Sequence, residues 1–370
     1  MKILIAPDKF KGTLTAAQVC RAVAEGLVVQ GHDEIKTLPL ADGGEGTFEL
    51  LMQAYQGTEI KVTVRDPLLR PLQATYGLSQ DGTTAFMEMA SASGLALLTH
   101  QERNPMRTSS AGTGDLIADA LDRGAQHIVL GIGGSATNDA GTGMAAALGI
   151  RYLDEHGERV VPTGGNLVKI ASIDTSGKHP RLAEAQITVL CDVNNPLTGP
   201  KGAAFIYGPQ KGATPEQVRA LNEGLVHYQH LAQRLFGVDI DFPGAGAAGG
   251  LGASLRLFSQ ARLRPGVEYL GELLQLEVLI KSCDWVITGE GRIDEQTFSG
   301  KVVSHVVALA QLHHKKIAVV CGQCWLSEVE LQNNGVHRWL TLAANEEELT
   351  LAMSAPYHLL KAKAEKLVLK

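Results

Sequence analysis

The chain has 370 residues, of which 45% are apolar and 19% charged, and its formal net charge is −6. That length exceeds the usual size of one domain, so we expect two globular domains. An acidic chain with only 5% aromatic residues lacks the basic surface that nucleic-acid binding requires. The charged start, MKILIAPDKFKG, is unlike a signal peptide, and no segment has the ~18 consecutive apolar residues of a membrane span. We therefore expect a cytoplasmic protein without nucleic-acid or membrane partners.

Short runs of Val, Ile and Leu recur along the chain, and each precedes a helical pattern. In chain order the main predicted strands span residues 3–5, 37–40, 128–130, 187–190 and 285–287. The predicted helices span residues 15–30, 115–123, 215–236, 299–313 and 357–370. Thr15 is a suitable N-cap for the first of these helices. Continuous β-branched runs that alternate with helices predict an α/β fold with a parallel sheet covered on both faces.

An aspartate follows each of these five strands, and this is the main functional signal. The residues are Asp8, Asp42, Asp139, Asp192 and Asp294. In open parallel sheets, ligands bind outside the carboxyl ends of the strands, where the loops converge. A single aspartate in such a loop often only caps the next helix. Five of them, each beside glycines, favour a binding site.

Carboxylates without histidine suit Mg²⁺ held beside phosphate oxygens. The glycine-rich loop 131–141, GIGGSATNDAG, follows a strand and leads to a helix predicted at about Gly143, so its amides and the helix dipole can hold an anion. Positive charge for a carboxylate or phosphate is available from Lys9, Lys11, Arg292 and Lys301. The pattern favours phosphoryl transfer to an anionic substrate.

Several familiar motifs do not match. The segment SGKV at 299–302 lacks the upstream glycine and the trailing hydroxyl of a P-loop. The segment GGSAT at 133–137 departs from the hydrolase elbow G-x-S-x-G, and no histidine lies in the five loops. Cys321 and Cys324 form a C-x-x-C pair after a strand-like run, for which a redox role and a metal role both stay open.

A dinucleotide-binding fold is the main alternative. Residues 131–136 read as G-x-G-x-x-A after a strand, and the apolar run 150–153 ends in Asp154 about twenty residues further on, where a ribose contact belongs. This alternative, an NAD-dependent dehydrogenase, leaves the other strand-end aspartates without a role.

Eight glycine- and aspartate-rich segments follow one another between residues 2 and 301. They are APDKFKGTLTA, PLADGGEGT, RNPMRTSSAGTGDLI, GIGGSATNDAGTGMAAALG, CDVNNPLTGPKGAA, YGPQKGAT, GAGAAGGLGA and TGEGRIDEQTFSGK. As an ordered series they resemble the motifs of the bacterial type I glycerate kinases. The resemblance implies ATP-dependent phosphorylation of D-glycerate with Mg²⁺, with 2-phosphoglycerate as the product.

The resemblance also implies a domain layout. A flavodoxin-like domain with five parallel strands is expected from residues 1–66 and 264–370, at the two chain ends. A second α/β domain, residues 67–263, is expected to be inserted, with the active site in the cleft between the two. The oligomeric state is not indicated.

Residue roles follow from the strand-end loops together with the resemblance. The catalytic carboxylates are expected among Asp8, Asp42, Asp139, Asp192 and Asp294, with Asp192 as the base and with Asp42 and Asp294 as metal ligands. Glycerate is expected to contact Lys11, Arg292 and Asn138. The nucleotide is expected to contact Gly133, Gly134, Ser135, Thr297, Ser299, Gly300 and Lys301. A sugar-acid binding protein without turnover is a further alternative, but binding alone does not require a cluster of carboxylates.

Overall fold

The computed structural model describes residues 1–32, 34–298 and 301–369, and the chain divides into two compact units. The first unit consists of Met1–Leu50 and Pro265–Lys370, and the second of Leu51–Arg264. The first crossing between units therefore lies at residue 50, whereas the predicted boundary was residue 66. The physical reason is that the strand Thr58–Arg65 pairs within the sheet of the second unit.

The strands are, in chain order, β1 (Ile3–Ile5), β2 (Ile35–Thr37), β3 (Thr58–Arg65), β4 (Pro71–Leu78), β5 (Thr84–Glu88), β6 (His127–Gly131), β7 (Arg151–Leu153), β8 (Ser172–Asp174), β9 (Gln186–Leu190), β10 (Arg262–Arg264), β11 (Trp285–Ile293), β12 (Lys316–Cys324) and β13 (Arg338–Thr341). The α-helices are α1 (Ala16–Val29), α2 (Thr47–Ala54), α3 (Ala90–Ser93), α4 (Ala111–Asp122), α5 (Thr142–Ala147), α6 (Ala203–Tyr207), α7 (Pro215–Phe236), α8 (Leu251–Phe258), α9 (Gly266–Leu273), α10 (Leu276–Lys281), α11 (Val302–Leu312), α12 (Glu328–Asn333), α13 (Glu346–Ser354) and α14 (Pro356–Ala364). Short 3₁₀ turns connect several of them, including Pro209–Lys211 before α7. Among the described residues, no helix is long and apolar enough to cross a membrane.

The sheet of the first unit is parallel throughout. Its described strands lie in the order β2-β1-β11-β12-β13, so that strands from the two chain ends sit side by side. Counted within the sheet this order is 2-1-3-4-5, one of the two common orders of doubly wound sheets. The predicted α/β class with parallel strands from both chain ends is confirmed, while the flavodoxin-like assignment stays a prediction.

Alternation along β1 shows why the sheet is covered on both faces. Ile3 and Ile5 point into one apolar cluster, which α1 and α14 complete, whereas Leu4 points into a second cluster with α10 and α11. Successive side chains of a strand point to opposite faces, so each residue of β1 is buried. Thr15 caps α1 through a capping box with Gln18, as predicted.

The second unit has a mixed sheet in the order β10-β9-β6-β5-β4-β3, as seen in the described residues. β5, β6, β9 and β10 run parallel, and the hairpin of β3 and β4 is antiparallel. The predicted helix 215–236 is observed with the same bounds, and Thr214 caps it. The glycine-rich loop and the segment CDVNNP both follow strands of this sheet.

Several predicted elements differ from the structure. The strand expected at 37–40 is observed at Ile35–Thr37. Leu38 and Leu40 still donate to the main-chain oxygens of Ile5 and Pro7, and the regular ladder ends where Pro7 has no N–H to donate back. The strand expected to end at residue 287 continues to Ile293, since β12 runs beside it over its whole length. The helix expected at 299–313 is observed as Val302–Leu312, and its predicted start, Ser299 and Gly300, lies outside the described residues.

Candidate active site

A cavity of about 650 Å³ lies within the first unit, at the carboxyl ends of β1 and β11. Its acidic lining consists of Asp8, Asp42, Glu45, Glu290 and Asp294. Its cationic lining consists of Lys9, Lys11, Arg292 and Lys301. A volume in the range of roughly 300–1,000 Å³ is typical of small-molecule sites. The first unit thus brings together three of the five predicted aspartates and all four of the predicted cations.

Asp8 and Asp42 share one cation. The Nζ atom of Lys9 lies 3.8 Å from a carboxylate oxygen of each, and it donates a hydrogen bond to the main-chain oxygen of Glu45 at 3.0 Å. Asp8 is only 8% exposed, and this burial raises its pKa to about 7; Lys9 opposes the shift, and the nearby Asp42 and Glu290 add to it. A carboxyl group that is costly to ionise gains most from an additional cation in the cavity.

Glu290 is brought to the cavity by the extension of β11 past its neighbour β1. The register pairs Glu290 with Cys321 of β12, and Gly289 sits where an added Cβ would lie 1.8 Å from the main-chain oxygen of Val320. Only glycine therefore permits this close approach of the two strands. Burial raises the pKa of Glu290, and its Oε1 atom is buried without a hydrogen-bond partner among the described residues. This atom is an acceptor in need of a donor or a cation.

A tight turn follows β11 and fixes Asp294. The main-chain N–H of Gln296 donates to Asp294 Oδ1, and the N–H of Asp294 donates to the Thr297 hydroxyl. Arg292 pairs with Asp294 through its Nε atom at 3.1 Å and stacks over the Trp325 ring at 4.3 Å. Thr297 is 1% exposed and stabilises this turn from within. Arg292 is thus already held by an acidic and an aromatic partner.

The remaining wall of the cavity is apolar. It is formed by Phe10, Leu342, Leu349, Ala352 and Met353, the last three from α13. Gly322 and Gln323, near the end of β12, also line the cavity. One cavity therefore offers both an apolar face and a strongly charged end.

Cys321 and Cys324 flank those two lining residues. Both are free thiols, and Cys321 is buried. Their mutual hydrogen bond lowers the pKa of Cys324 to about 6 and raises that of Cys321. The redox interpretation of this pair stays a prediction.

The described residues contain no group of three or more His, Cys, Asp or Glu side chains arranged as a preformed metal site. Mg²⁺ does not require one, because it usually keeps several waters and binds through one or two carboxylates and substrate phosphates. The acidic lining of the cavity fits this mode of binding. Its unpartnered Glu290 oxygen and its two carboxylates around Lys9 are suitable oxygen donors.

Asp139, in the second unit, has a different environment. It is fully buried and accepts hydrogen bonds from the N–H and the hydroxyl of Ser110, at 2.7 and 2.8 Å, and from the N–H groups of Gly141 and Gly143, both at 3.2 Å. Burial raises its pKa, and the four donors oppose that rise. These contacts tie the start of α4 to the start of α5. These hydrogen bonds favour a role for Asp139 in stabilising the loop, and its predicted catalytic role stays a prediction.

The helix after the glycine-rich loop begins at Thr142, one residue before the predicted start, and is short. α5 has only six residues, so a helix dipole contributes little to anion binding here. Gly133 and Gly134 are exposed, Ser135 is 8% exposed, and Asn138 is fully buried with both side-chain polar atoms unpartnered among the described residues. Asp192 is exposed on the loop after β9.

The dinucleotide interpretation is wrong for this loop. Asp154 follows β7, which pairs only with β8 in a separate antiparallel sheet, as far as the described residues show. In a dinucleotide fold the acidic residue follows the strand next to the glycine-rich loop. The neighbours of β6 are instead β5 and β9, and Asp154 accepts the N–H groups of His156 and Glu158 in a local turn.

Sequence reasoning gave no role to two residues. Glu290 stands inside the segment TGEGRIDEQTFSGK, but the roles there were given to Arg292 and Asp294. Lys211 was not considered, although it lies in the segment YGPQKGAT. It is 2% exposed, and burial lowers its pKa to about 7.

Comparison with known proteins gives consistent relatives. The model of the glycerate kinase family matches residues 3–369. A glycerate kinase of Halalkalibacterium halodurans is 44% identical over 98% of this chain and 96% of its own length. The glycerate 2-kinase of Escherichia coli K12 is 47% identical over 87% of this chain and 85% of its own. A crystal structure provisionally assigned as glycerate kinase 2 from Salmonella typhimurium LT2 has 43% identity and a TM-score of 0.86, and covers 99% of this chain and 96% of its own.

Proposed function

This chain belongs to the glycerate kinase family, and from that premise we propose that it transfers the γ-phosphoryl group of ATP to D-glycerate, forming 2-phosphoglycerate and ADP with the help of Mg²⁺. The observation that carries the proposal is the cavity of the first unit. Five carboxylates and four cationic side chains are counted among its described lining residues. A surplus of carboxylates disfavours a bare polyanion, whereas a polyanion that arrives with a divalent cation is compatible with both sets of charges.

The nucleotide is proposed to occupy this cavity. The apolar wall that includes Leu349 and Met353 suits the base, and the charged end suits the phosphates. Lys11 and Lys301 are proposed to neutralise phosphate oxygens. Thr297, Ser299 and Gly300 remain proposed nucleotide contacts, the last two outside the described residues.

Mg²⁺ is proposed to bind to the acidic end, on Asp42 and Asp294, with Asp8 and Glu290 as further oxygen donors. When bound, it supplies positive charge that offsets the charge of the phosphate oxygens. Before the cation binds, Lys9 holds Asp8 and Asp42 together, because its ammonium lies at the same distance from both carboxylates. Arg292 is proposed to bind an anionic oxygen with the part of its guanidinium that Asp294 leaves available.

Phosphoryl transfer depends mainly on positioning and charge neutralisation, with one group that orients the attacking hydroxyl. Asp192 is proposed as that group. Its carboxylate accepts the proton of the glycerate 2-hydroxyl as the oxygen bonds to phosphorus and ADP departs. Asn138 remains a proposed glycerate contact, since its amide is without a partner among the described residues. A cytoplasmic location remains our expectation, because the reaction consumes ATP.

The reaction is tested by coupling ADP release to NADH oxidation, with D-glycerate present or omitted and with Mg²⁺ present or chelated. ADP release that requires both D-glycerate and Mg²⁺ supports the proposal. Phosphorus NMR of the product distinguishes 2-phosphoglycerate from the 3-isomer. Tight binding of D-glycerate without any ADP release would instead favour the non-catalytic binding protein.

The role of Asp192 is tested with Asp192→Asn, with Glu223→Gln as an exposed control in the same unit. Loss of a general base lowers kcat by roughly 10²–10⁴-fold, with little change in KM for glycerate. The control is expected to retain wild-type kinetics. Wild-type kcat in Asp192→Asn contradicts the assignment.

A further inference from the structure

Lys211 is a buried ammonium whose hydrogen-bond partners are neutral. It ends the 3₁₀ turn Pro209–Lys211, is 2% exposed, and donates to the Ser135 hydroxyl oxygen at 2.8 Å and to the main-chain oxygen of Thr137 at 2.7 Å. Buried charges are normally paired with an opposite charge. Asp139, the acidic residue of the same loop, uses both carboxylate oxygens for Ser110, Gly141 and Gly143. Asp139 favours the charged form of Lys211 through its negative charge but forms no ion pair with it among the described residues, and burial outweighs this effect, so the pKa of Lys211 is still lowered.

The contact with Lys211 determines what Ser135 can do. In its protonated form Lys211 has donors only, so the Ser135 oxygen is then the acceptor in this hydrogen bond. The hydroxyl proton of Ser135 then remains available for another acceptor. No such acceptor lies within hydrogen-bond distance in the part of the chain that the structure describes. Ser135 is consequently a hydrogen-bond donor that lies beside a buried lysine.

The two residues before Ser135 add further donors. Gly133 and Gly134 are exposed, and within the described ranges the N–H groups of Gly133, Gly134 and Ser135 donate no hydrogen bond. The carbonyl of Gly134, in contrast, accepts from the N–H of Leu95 at 2.8 Å, which fixes the loop in place. Consecutive free amides of this kind form anion-binding concavities.

A second observation points to a ligand in the same loop. Asn138 is fully buried, and neither its Oδ1 nor its Nδ2 has a hydrogen-bond partner among the described residues. The hydroxyl of Thr137, whose carbonyl accepts from Lys211, is likewise buried and unpartnered. Buried polar groups are normally satisfied, so this loop is built for a polar group that joins it.

We propose that Gly133, Gly134 and Ser135 form a binding subsite for an anionic oxygen group, with Lys211 beneath them as the positioning residue that supplies its counter-charge. The chemical class is a carboxylate or a phosphoryl group. On the proposed function, from which this inference takes its ligands, the source is either the carboxylate of glycerate or a phosphate of the nucleotide. Lys211 itself does not touch the ligand; it acts through the Ser135 hydroxyl.

The test measures binding directly, by titration calorimetry with three probes: D-glycerate, a non-hydrolysable ATP analogue with Mg²⁺, and inorganic phosphate. The variants are Lys211→Met and Ser135→Ala, with Lys169→Met as an exposed lysine control in the same unit. We expect Lys211→Met to weaken one of the two substrates by about tenfold or more, and Ser135→Ala to weaken the same one. The control should bind both as the wild type does. Glycerate as the affected probe identifies the carboxylate, and the analogue identifies the phosphoryl group.

A further variant keeps the test valid if Lys211→Met does not fold. Ser135→Asp places a carboxylate beside the ammonium, so it should raise Tm and abolish binding of the affected substrate. The proposal is overturned if both Ser135 variants bind all three probes as the wild type does. It is also overturned if Lys211→Met loses affinity for both substrates equally, because that result indicates a structural role only. Binding is measured without turnover, so the two proposals can fail separately. If phosphate binding depends on Lys211 but the wild type does not phosphorylate glycerate, the proposed function is refuted and the anion subsite is retained.

Discussion

Replacing Asp139 by alanine separates a structural role from a catalytic one. The carboxylate accepts hydrogen bonds from three main-chain N–H groups, of Ser110, Gly141 and Gly143, and from one hydroxyl. The hydroxyl can rotate to another partner, but three buried N–H groups are left unsatisfied at about 1–3 kcal/mol each. Burial disfavours the charged form of Asp139, so removing the carboxylate also removes an unfavourable buried charge. This gain offsets part of the cost of the unsatisfied N–H groups. We expect a net destabilisation of about 3–4 kcal/mol.

For a unit of this size, about 3–4 kcal/mol corresponds to a fall in Tm of roughly 10 °C. The assay is thermal unfolding monitored by circular dichroism, together with kcat measured well below the new Tm. Asp154→Ala is the matched control, since Asp154 also accepts two main-chain N–H groups but in a turn that water reaches. It should change the free energy of unfolding by less than about 1 kcal/mol. A normal Tm with a hundredfold loss of kcat in Asp139→Ala would refute our reasoning and return Asp139 to the catalytic set.

Three further outcomes are expected. Glu290→Gln should raise the Mg²⁺ concentration needed for half-maximal activity by about tenfold, because one oxygen donor of the acidic end loses its charge. The control Glu295→Gln, at an exposed residue nearby, should leave that concentration unchanged. Both values are measured by titrating the reaction rate with Mg²⁺. Gly289→Ala should lower Tm by several degrees, since a Cβ would meet the main chain of β12, and an unchanged melting curve would contradict that account. Burial lowers the pKa of Lys211 to about 7, so between pH 7 and its unfolded value near 10.5 the unfolded chain binds the additional proton, and stability rises with pH. Urea unfolding at pH 7, 8 and 9 should show this rise, at up to ~1.4 kcal/mol per pH unit, in the wild type relative to Lys211→Met.

The first unit was predictable because its signals are local. The runs at β1 and β11 are apolar without alternation, and only a strand buried on both faces tolerates that pattern. The aspartates after such strands necessarily reach the same edge of the sheet, and Asp8, Asp42 and Asp294 do line one cavity. Glu290 was less apparent, because Gly-Glu-Gly-Arg has the composition of a turn. It is a strand only because β12 extends alongside it, and that pairing is not written in the local sequence.

The second unit shows the limit of the same reasoning. The glycine-rich loop was correctly expected to follow a strand, but its capacity for an anion was attributed to a helix that proves to have six residues. The alternative source of positive charge, Lys211, lies more than seventy residues further on, in a Pro-Gln-Lys-Gly segment that is typical of an exposed turn. A lysine is buried only when the surrounding fold supplies acceptors and excludes water, and neither condition can be seen from its neighbours in sequence. Because such a charge is costly, its position directly beneath Ser135 is the strongest physical reason to expect an anion there.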